Sequence, residues 1–353
     1  MARPPPPHLA ALFAQALRTF EASGATFRVL CSLPAPPPSP PTSAPDAPIS
    51  APPPPPRTRP PRVLVLDSSF NPPTRAHHRM AASALGAWKG KGEGKGEGEA
   101  ASRVLLLLAV NNADKAPRPA ALAHRLAMMY AFARALLAAR PTTTKTKTTT
   151  TMGGEGCIAE EGGEGGRGGG GCETVVVDIA VTTEPYFHAK ALAIDASGFY
   201  AGVVDGGDDD DEAVVSAAGP EQVYLAGYDT LVRIFDPKYY PADGGMRAAL
   251  DPLFACARLR VTMRTDDAWG DAARQVAYLD ELRAGKLEAV GGRKEWVDRI
   301  ELVEGRKDGE EIISSTKVRD AVRRRDWEAL RELVDEGVVN WIRENDLYAN
   351  DDQ

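Results

Sequence analysis

From Arg62 onward the chain alternates short apolar runs with stretches of helical period. The runs at Arg62–Asp67, Arg103–Ala109, Thr174–Val181, Glu221–Ala226, Arg258–Arg264 and Asp298–Val303 have the length and β-branched content of buried strands. Between them, Arg75–Leu85, Ala120–Ala139, Pro185–Ala196, Tyr228–Phe235 and Asp271–Ala284 read as helices. Strand–helix alternation of this kind predicts an α/β domain built on a doubly wound parallel sheet. Ligands then belong at the carboxyl ends of the strands. Ahead of this region, His8 to Ala22 is helix-like and Phe27 to Ser32 strand-like, so residues 1–33 can pack back on the core.

Four stretches break the pattern. Residues 34–61 hold 15 of the 29 prolines and read as an extended linker. Trp88 to Ser102 alternates Gly with Lys and Glu, Pro141 to Gly171 runs from threonine and lysine into glycine, and Asp205 to Gly219 is acidic. They read as disordered insertions in one domain spanning 62–348, with 349–353 as a tail. With 42 basic and 49 acidic residues the net charge is −7, which argues against a general nucleic-acid or anionic-membrane binder. No apolar run approaches a membrane span, and the first twelve residues lack a signal-peptide pattern, so a cytoplasmic or nuclear protein is expected. The cysteines, Cys31, Cys157, Cys172 and Cys256, have no CxxC spacing, which indicates neither a zinc site nor a disulfide framework.

Two motifs carry chemistry. After the first strand comes Ser69-Phe70-Asn71-Pro72-Pro73-Thr74-Arg75-Ala76-His77. Its prolines exclude helix and enforce a tight loop, and Thr74 stands where the next helix begins. Thr74 and His77, three apart, share a face of the first turn, where free backbone N–H groups favour an anion. Near the other end, Ser314-Ser315-Thr316 precedes Lys317-Val318-Arg319 and reads as a hydroxyl-capped helix start with a guanidinium one turn in. Hydroxyls, N–H groups, helix dipole and Arg319 would converge on a polyphosphate.

In this order the two motifs resemble the (T/H)xxH and SSTxxR signatures of the nucleotidylyltransferase superfamily. Within it, the chain is most similar to the divergent fungal-type branch of the nicotinamide mononucleotide adenylyltransferases. Leu225-Ala226-Gly227-Tyr228-Asp229-Thr230-Leu231 is similar to the family's GxDxL segment, and Asn111-Asn112-Ala113-Asp114-Lys115 with His124 to Met129 to its second strand-to-helix region. The segment Leu333 to Tyr348 resembles the closing helices. The family's first motif opens with glycine, whereas this chain has Ser68.

The resemblance implies a Rossmann-like fold and transfer of AMP from ATP to nicotinamide or nicotinate mononucleotide, giving NAD or its deamido form and pyrophosphate, with Mg²⁺ held mainly by the phosphates. His77 is expected on the α-phosphate, Thr74 with Ser69, Phe70 and Asn71 along the phosphate chain, and Ser314, Ser315, Thr316 and Arg319 on the leaving phosphates. Asp229 is expected near the ribose or metal-bound phosphates, or as a cap after Gly227. Lys115 is a candidate phosphate contact. Tyr186 and Phe187 either stack on the pyridine ring or pack in the core. Adjacent His78 points about 100° away around the helix and reads as a packing residue.

Other signals fall away. Gly163 to Gly168 spells GxGxxG inside a glycine tract with no strand before it, there is no Walker A sequence, and Asp208 to Glu212 lacks calcium-loop spacing. Two alternatives stay open: a superfamily member using phosphopantetheine or CTP, and a non-catalytic nucleotide binder of the same fold.

Overall fold

The computed structural model describes residues 8–34, 51–88, 102–111, 120–139, 175–202, 219–240, 245–264, 269–305 and 312–349. Its elements run α1 (Leu9–Ala22), β1 (Phe27–Pro34), β2 (Arg62–Asp67), α2 (Arg75–Trp88), β3 (Ser102–Ala109), α3 (Leu122–Ala138), β4 (Val175–Thr182), α4 (Phe187–Ala196), β5 (Glu221–Gly227) and α5 (Tyr228–Ile234). They continue with α6 (Gly245–Cys256), β6 (Ala257–Thr262), α7 (Ala272–Glu281), α8 (Leu287–Ala289), β7 (Ile300–Val303), α9 (Ser315–Arg323), α10 (Trp327–Leu333) and α11 (Glu336–Glu344).

The seven strands form one sheet in the order β1-β4-β3-β2-β5-β6-β7. Six of them are parallel, and β1 pairs antiparallel with β4 at one edge. The expected parallel sheet is present over six strands, and β1 adds an antiparallel edge to it. The N-terminal strand reaches β4 without a crossover helix of its own, so right-handed βαβ winding does not dictate its direction.

Both sheet faces are covered, which explains the unbroken apolar runs. Along β2, Leu64 and Leu66 join the cluster containing α1, α2, α3 and α9 to α11, while Val63 and Val65 join the cluster containing α4 to α8. Between β2 and β5 the strand order reverses, because β2 pairs with β3 on one side and with β5 on the other. A crevice opens at such a switch point beyond the strand ends. The loop bearing the first motif leaves β2 there, and Gly227 closes β5 beside it.

Some boundaries differ from the sequence reading. The last strand is the short β7 after a 3₁₀ turn at Lys294–Arg299, and the helix from Asp271 ends at Glu281 in a π turn, Leu282–Lys286, around Gly285 at φ +116°. Helix α6 went unpredicted. Most of the proline linker, at 35–50, and nearly all of the three low-complexity insertions lie outside the described residues, as do Cys157 and Cys172. Cys31 is buried, Cys256 half-buried, and both are free thiols. Among the described residues no helix is long and apolar enough to cross a membrane.

Candidate active site

The loop after β2 is shaped by its own side chains. Phe70 takes φ +44°, a region non-glycine residues rarely enter, and its ring is fully buried against His77 at 5.5 Å between centroids. Only its backbone can therefore meet a ligand. The Asn71–Pro72 peptide is cis. Asn71 is buried and accepts at Oδ1 from the Tyr348 hydroxyl at 2.8 Å.

The two motifs, some 240 residues apart in sequence, are bonded to each other. Arg319 donates from Nη1 to the Asn71 carbonyl at 2.8 Å, and Ser315 donates from Oγ to the Pro72 carbonyl at 2.9 Å. Within α9, Ser314 caps the helix by accepting from the Lys317 amide, and Thr316 Oγ1 accepts from Arg319 Nη2. The amides of Ser315 and Thr316 lie in the first turn, where helix N–H groups have no intrahelical partner. Amides so placed can receive an anion, and here they open a nine-residue helix held against the other motif.

His77 sits on the first turn of α2. Its Nδ1 accepts from the Thr74 amide at 3.0 Å and lies 2.9 Å from Thr74 Oγ1. An amide can only donate, so Nδ1 carries the lone pair and the neutral ring holds its proton on Nε2, which faces Ser68 Oγ at 3.1 Å. Burial lowers the pKa of His77 from 6.5 to about 4. Thr74, 1% exposed, holds that ring through both its amide and its hydroxyl. His78 points elsewhere, onto Asp335 at 3.3 Å and edge-on to Phe132.

Beside these motifs lies a cavity of about 300 Å³. Polar Ser68, Ser69 and Arg125 stand at the motif end, where Ser68 meets His77 and Arg125 feels the charge of Arg319; Tyr186, His188 and Tyr240 form a contiguous aromatic group, with Phe187 and Tyr239 also in the lining. Lys190 and Asp67 also line it and are paired at 2.6 Å with little exposure on either side chain. Arg125 is buried and donates from Nε to the Ala120 carbonyl at 2.7 Å. Burial lowers its pKa, and the positive charge of Arg319 acts in the same direction, so the two guanidinium groups feel each other. Tyr186, 41% exposed, stacks on His188 at 5.6 Å, while Phe187 packs inward on Tyr224 and beneath the Lys190 ammonium. Phe187 thus packs on core residues while lining the cavity, and Tyr186 is the more accessible ring.

The remaining candidates separate. Gly227 precedes α5, where a Cβ would fall 2.7 Å from Asp229 Oδ1, and Asp229 pairs with Arg264 at 3.1 Å, bonded to neither motif. Its neighbour Thr230 lines the cavity. Lys115 lies outside the described residues. Asp67, Lys190, Arg125 and Arg233 were not singled out from sequence, although an aspartate closing an apolar strand just before the loop was a usable signal for the first.

Fold and site together define a doubly wound α/β protein whose two motif segments are joined where the strand order reverses. The chain is 28% identical over 282 residues, 80% of its length and 84% of the relative's, to a Schizosaccharomyces pombe protein provisionally described as a nicotinamide mononucleotide adenylyltransferase. Two solved structures of Plasmodium falciparum nicotinic acid mononucleotide adenylyltransferase also match. The one with NaAD has TM-score 0.39 and 11% identity, covering 81% of this chain and 97% of that one. The one with APC has TM-score 0.36 and 9% identity, covering 81% and 96%. No family model matches the chain.

Proposed function

We propose that the protein transfers AMP from ATP to a pyridine mononucleotide, releasing pyrophosphate. The observation that carries this reading is Ser68, which lines the cavity and at the same time contacts His77 Nε2, so the acceptor pocket and the phosphate motifs meet at one residue. The similarity to the fission-yeast relative supports the same reaction class.

The mononucleotide would lie in the cavity with its 5′-phosphate at the Ser68, Ser69 and Arg125 end. One of its oxygens attacks the α-phosphorus of ATP, a new P–O bond forms, the bond to the β-phosphate oxygen breaks, and pyrophosphate leaves. His77 donates from Nε2–H to the α-phosphate as charge builds on its oxygens. Ser68 holds that proton until the nucleotide arrives. Arg319 and the amides of Ser315 and Thr316 receive the leaving phosphates. Catalysis then rests on positioning and charge stabilisation, without a covalent enzyme intermediate. Among the described residues no group of three or more His, Cys, Asp or Glu could hold a metal ion. Mg²⁺ would enter with ATP, held mainly by its phosphates.

Two expected results follow from the charged groups. Arg125→Gln should raise the KM for the mononucleotide by about 10–100-fold, the scale of a lost hydrogen bond to a charged group, and alter the KM for ATP far less. Arg125→Lys should recover part of the loss; equal effects on both substrates would remove Arg125 from the acceptor site. For pH, a His77 pKa near 4 means the neutral donor form persists in the free enzyme. The profile of kcat/KM should then show no histidine limb between about pH 5.5 and 8, and a limb near 6.5 would contradict the assignment. Because this folded-state pKa lies below the unfolded value of 6.5, His77 also makes the fold less stable as pH falls from 6.5 towards 4.

A competition among acceptors tests the function itself. Offered ATP with nicotinamide mononucleotide, nicotinate mononucleotide and phosphopantetheine together, or CTP with an alcohol phosphate, the purified protein should form only the pyridine dinucleotides. Turnover confined to another pair would favour a different nucleotidylyltransferase, and none at all the non-catalytic binder.

A further inference from the structure

At the aromatic end of the cavity one formal charge stands unanswered. Arg233 is exposed and lines the cavity from α5, next to Ile234, whose carbonyl receives the hydroxyl of Tyr240, and no hydrogen bond or ion pair engages its side chain among the described residues. The acidic residue best placed by helical spacing to neutralise it is Asp229, four positions earlier, and that carboxylate is engaged with Arg264 at 3.1 Å. His188, beside Tyr240 in the same lining, has its pKa lowered by burial, which disfavours a positive charge there. Asp67, the one carboxylate lining the cavity among the described residues, is held by Lys190 at 2.6 Å.

The cavity is thus cationic at both ends. Its polar end suits the 5′-phosphate, which leaves the pyridine ring among Tyr186, His188 and Tyr240, within the part of the cavity that Arg233 borders. A bound pyridine mononucleotide carries a positive ring nitrogen. With a neutral amide as ring substituent, that charge meets Arg233 uncompensated; with a carboxylate, the ring becomes zwitterionic and presents an anion that a guanidinium binds through two parallel hydrogen bonds.

We propose that Arg233 determines acceptor specificity, its guanidinium receiving the ring carboxylate of nicotinate mononucleotide and so selecting the acid over the amide. The inference rests on the adenylyl-transfer reading above and deepens it. Arg233 touches the substrate away from the reacting phosphates, so its role is in selection and not in the transfer step.

The test compares kcat/KM for nicotinate and nicotinamide mononucleotide, each with ATP and Mg²⁺, in the full chain and in its Arg233→Gln and Arg233→Lys variants. Because the residue is exposed and unbonded, both variants should fold, and their KM for ATP should match the parent's. The parent should favour the nicotinate form by about tenfold or more, the scale of one charge-assisted hydrogen bond. In Arg233→Gln the ratio should fall by about the same factor, chiefly through KM, and Arg233→Lys should keep part of the preference. A ratio unchanged within about twofold between parent and Arg233→Gln, well short of that loss, overturns the inference while leaving adenylyl transfer intact. Failure of the parent to adenylylate either mononucleotide would overturn the transfer reading, and this inference with it.

Discussion

Replacing His77 with alanine is expected to lower turnover by about 10²–10³, the loss typical of removing one preorganised donor from a developing oxyanion. The geometry makes the effect specific. Thr74 fixes the ring through Nδ1, so Nε2–H is aimed at Ser68 Oγ before substrate binds. The fold should survive, since the ring's one aromatic neighbour, Phe70, is anchored by its own complete burial. His78→Ala provides the contrast. It removes a contact with Asp335 and an edge-on packing partner of Phe132, so it should lower thermal stability with far less effect on turnover. If folded His77→Ala turned over within about threefold of the parent, far less than the expected loss, the donor role would be wrong.

The second large effect concerns stability. Asp67→Ala would leave the Lys190 ammonium buried without its partner, at a cost of about 3–5 kcal/mol. That is a large share of the net stability of a typical domain, about 5–15 kcal/mol. Lys190→Ala should cost a similar amount by stranding Asp67. The double variant should be much less destabilised than the two losses added together, because neither charge is then left alone. Denaturant unfolding of the four proteins measures the coupling; simple additivity would mean that the pair seen at 2.6 Å contributes nothing as a pair.

What the sequence made legible was local. Strand β2 appears within its observed bounds because apolar residues at consecutive positions serve both sheet faces, and the loop after it is legible because two prolines leave few backbone choices. The two motifs were readable one by one, and their order implied a shared site, but the bonds that join them are contacts between Arg319 or Ser315 and backbone carbonyls. Carbonyls carry no side-chain signature. Lys190 and Asp67 were missed for a related reason: they meet across 123 positions, and a single lysine in an apolar helix gives no hint of its partner. Arg125 was visible as part of a resemblance, yet its place between cavity and Arg319 depends on how α3 is packed on the sheet. Helix α6 escaped because Pro252 lies inside it, where proline ordinarily argues against helix. Ser68, read as a departure from the family's glycine, supplies the hydroxyl that faces His77.

The central claim is adenylyl transfer at the junction of motif loop and cavity, and the fate of the α-phosphate tests it most directly. With ATP labelled at that phosphorus, a pyridine mononucleotide and Mg²⁺, the account predicts label appearing in the dinucleotide in step with pyrophosphate, one for one, with none retained on the protein. Label accumulating as free AMP or ADP, remaining on the protein, or staying wholly in ATP would contradict it.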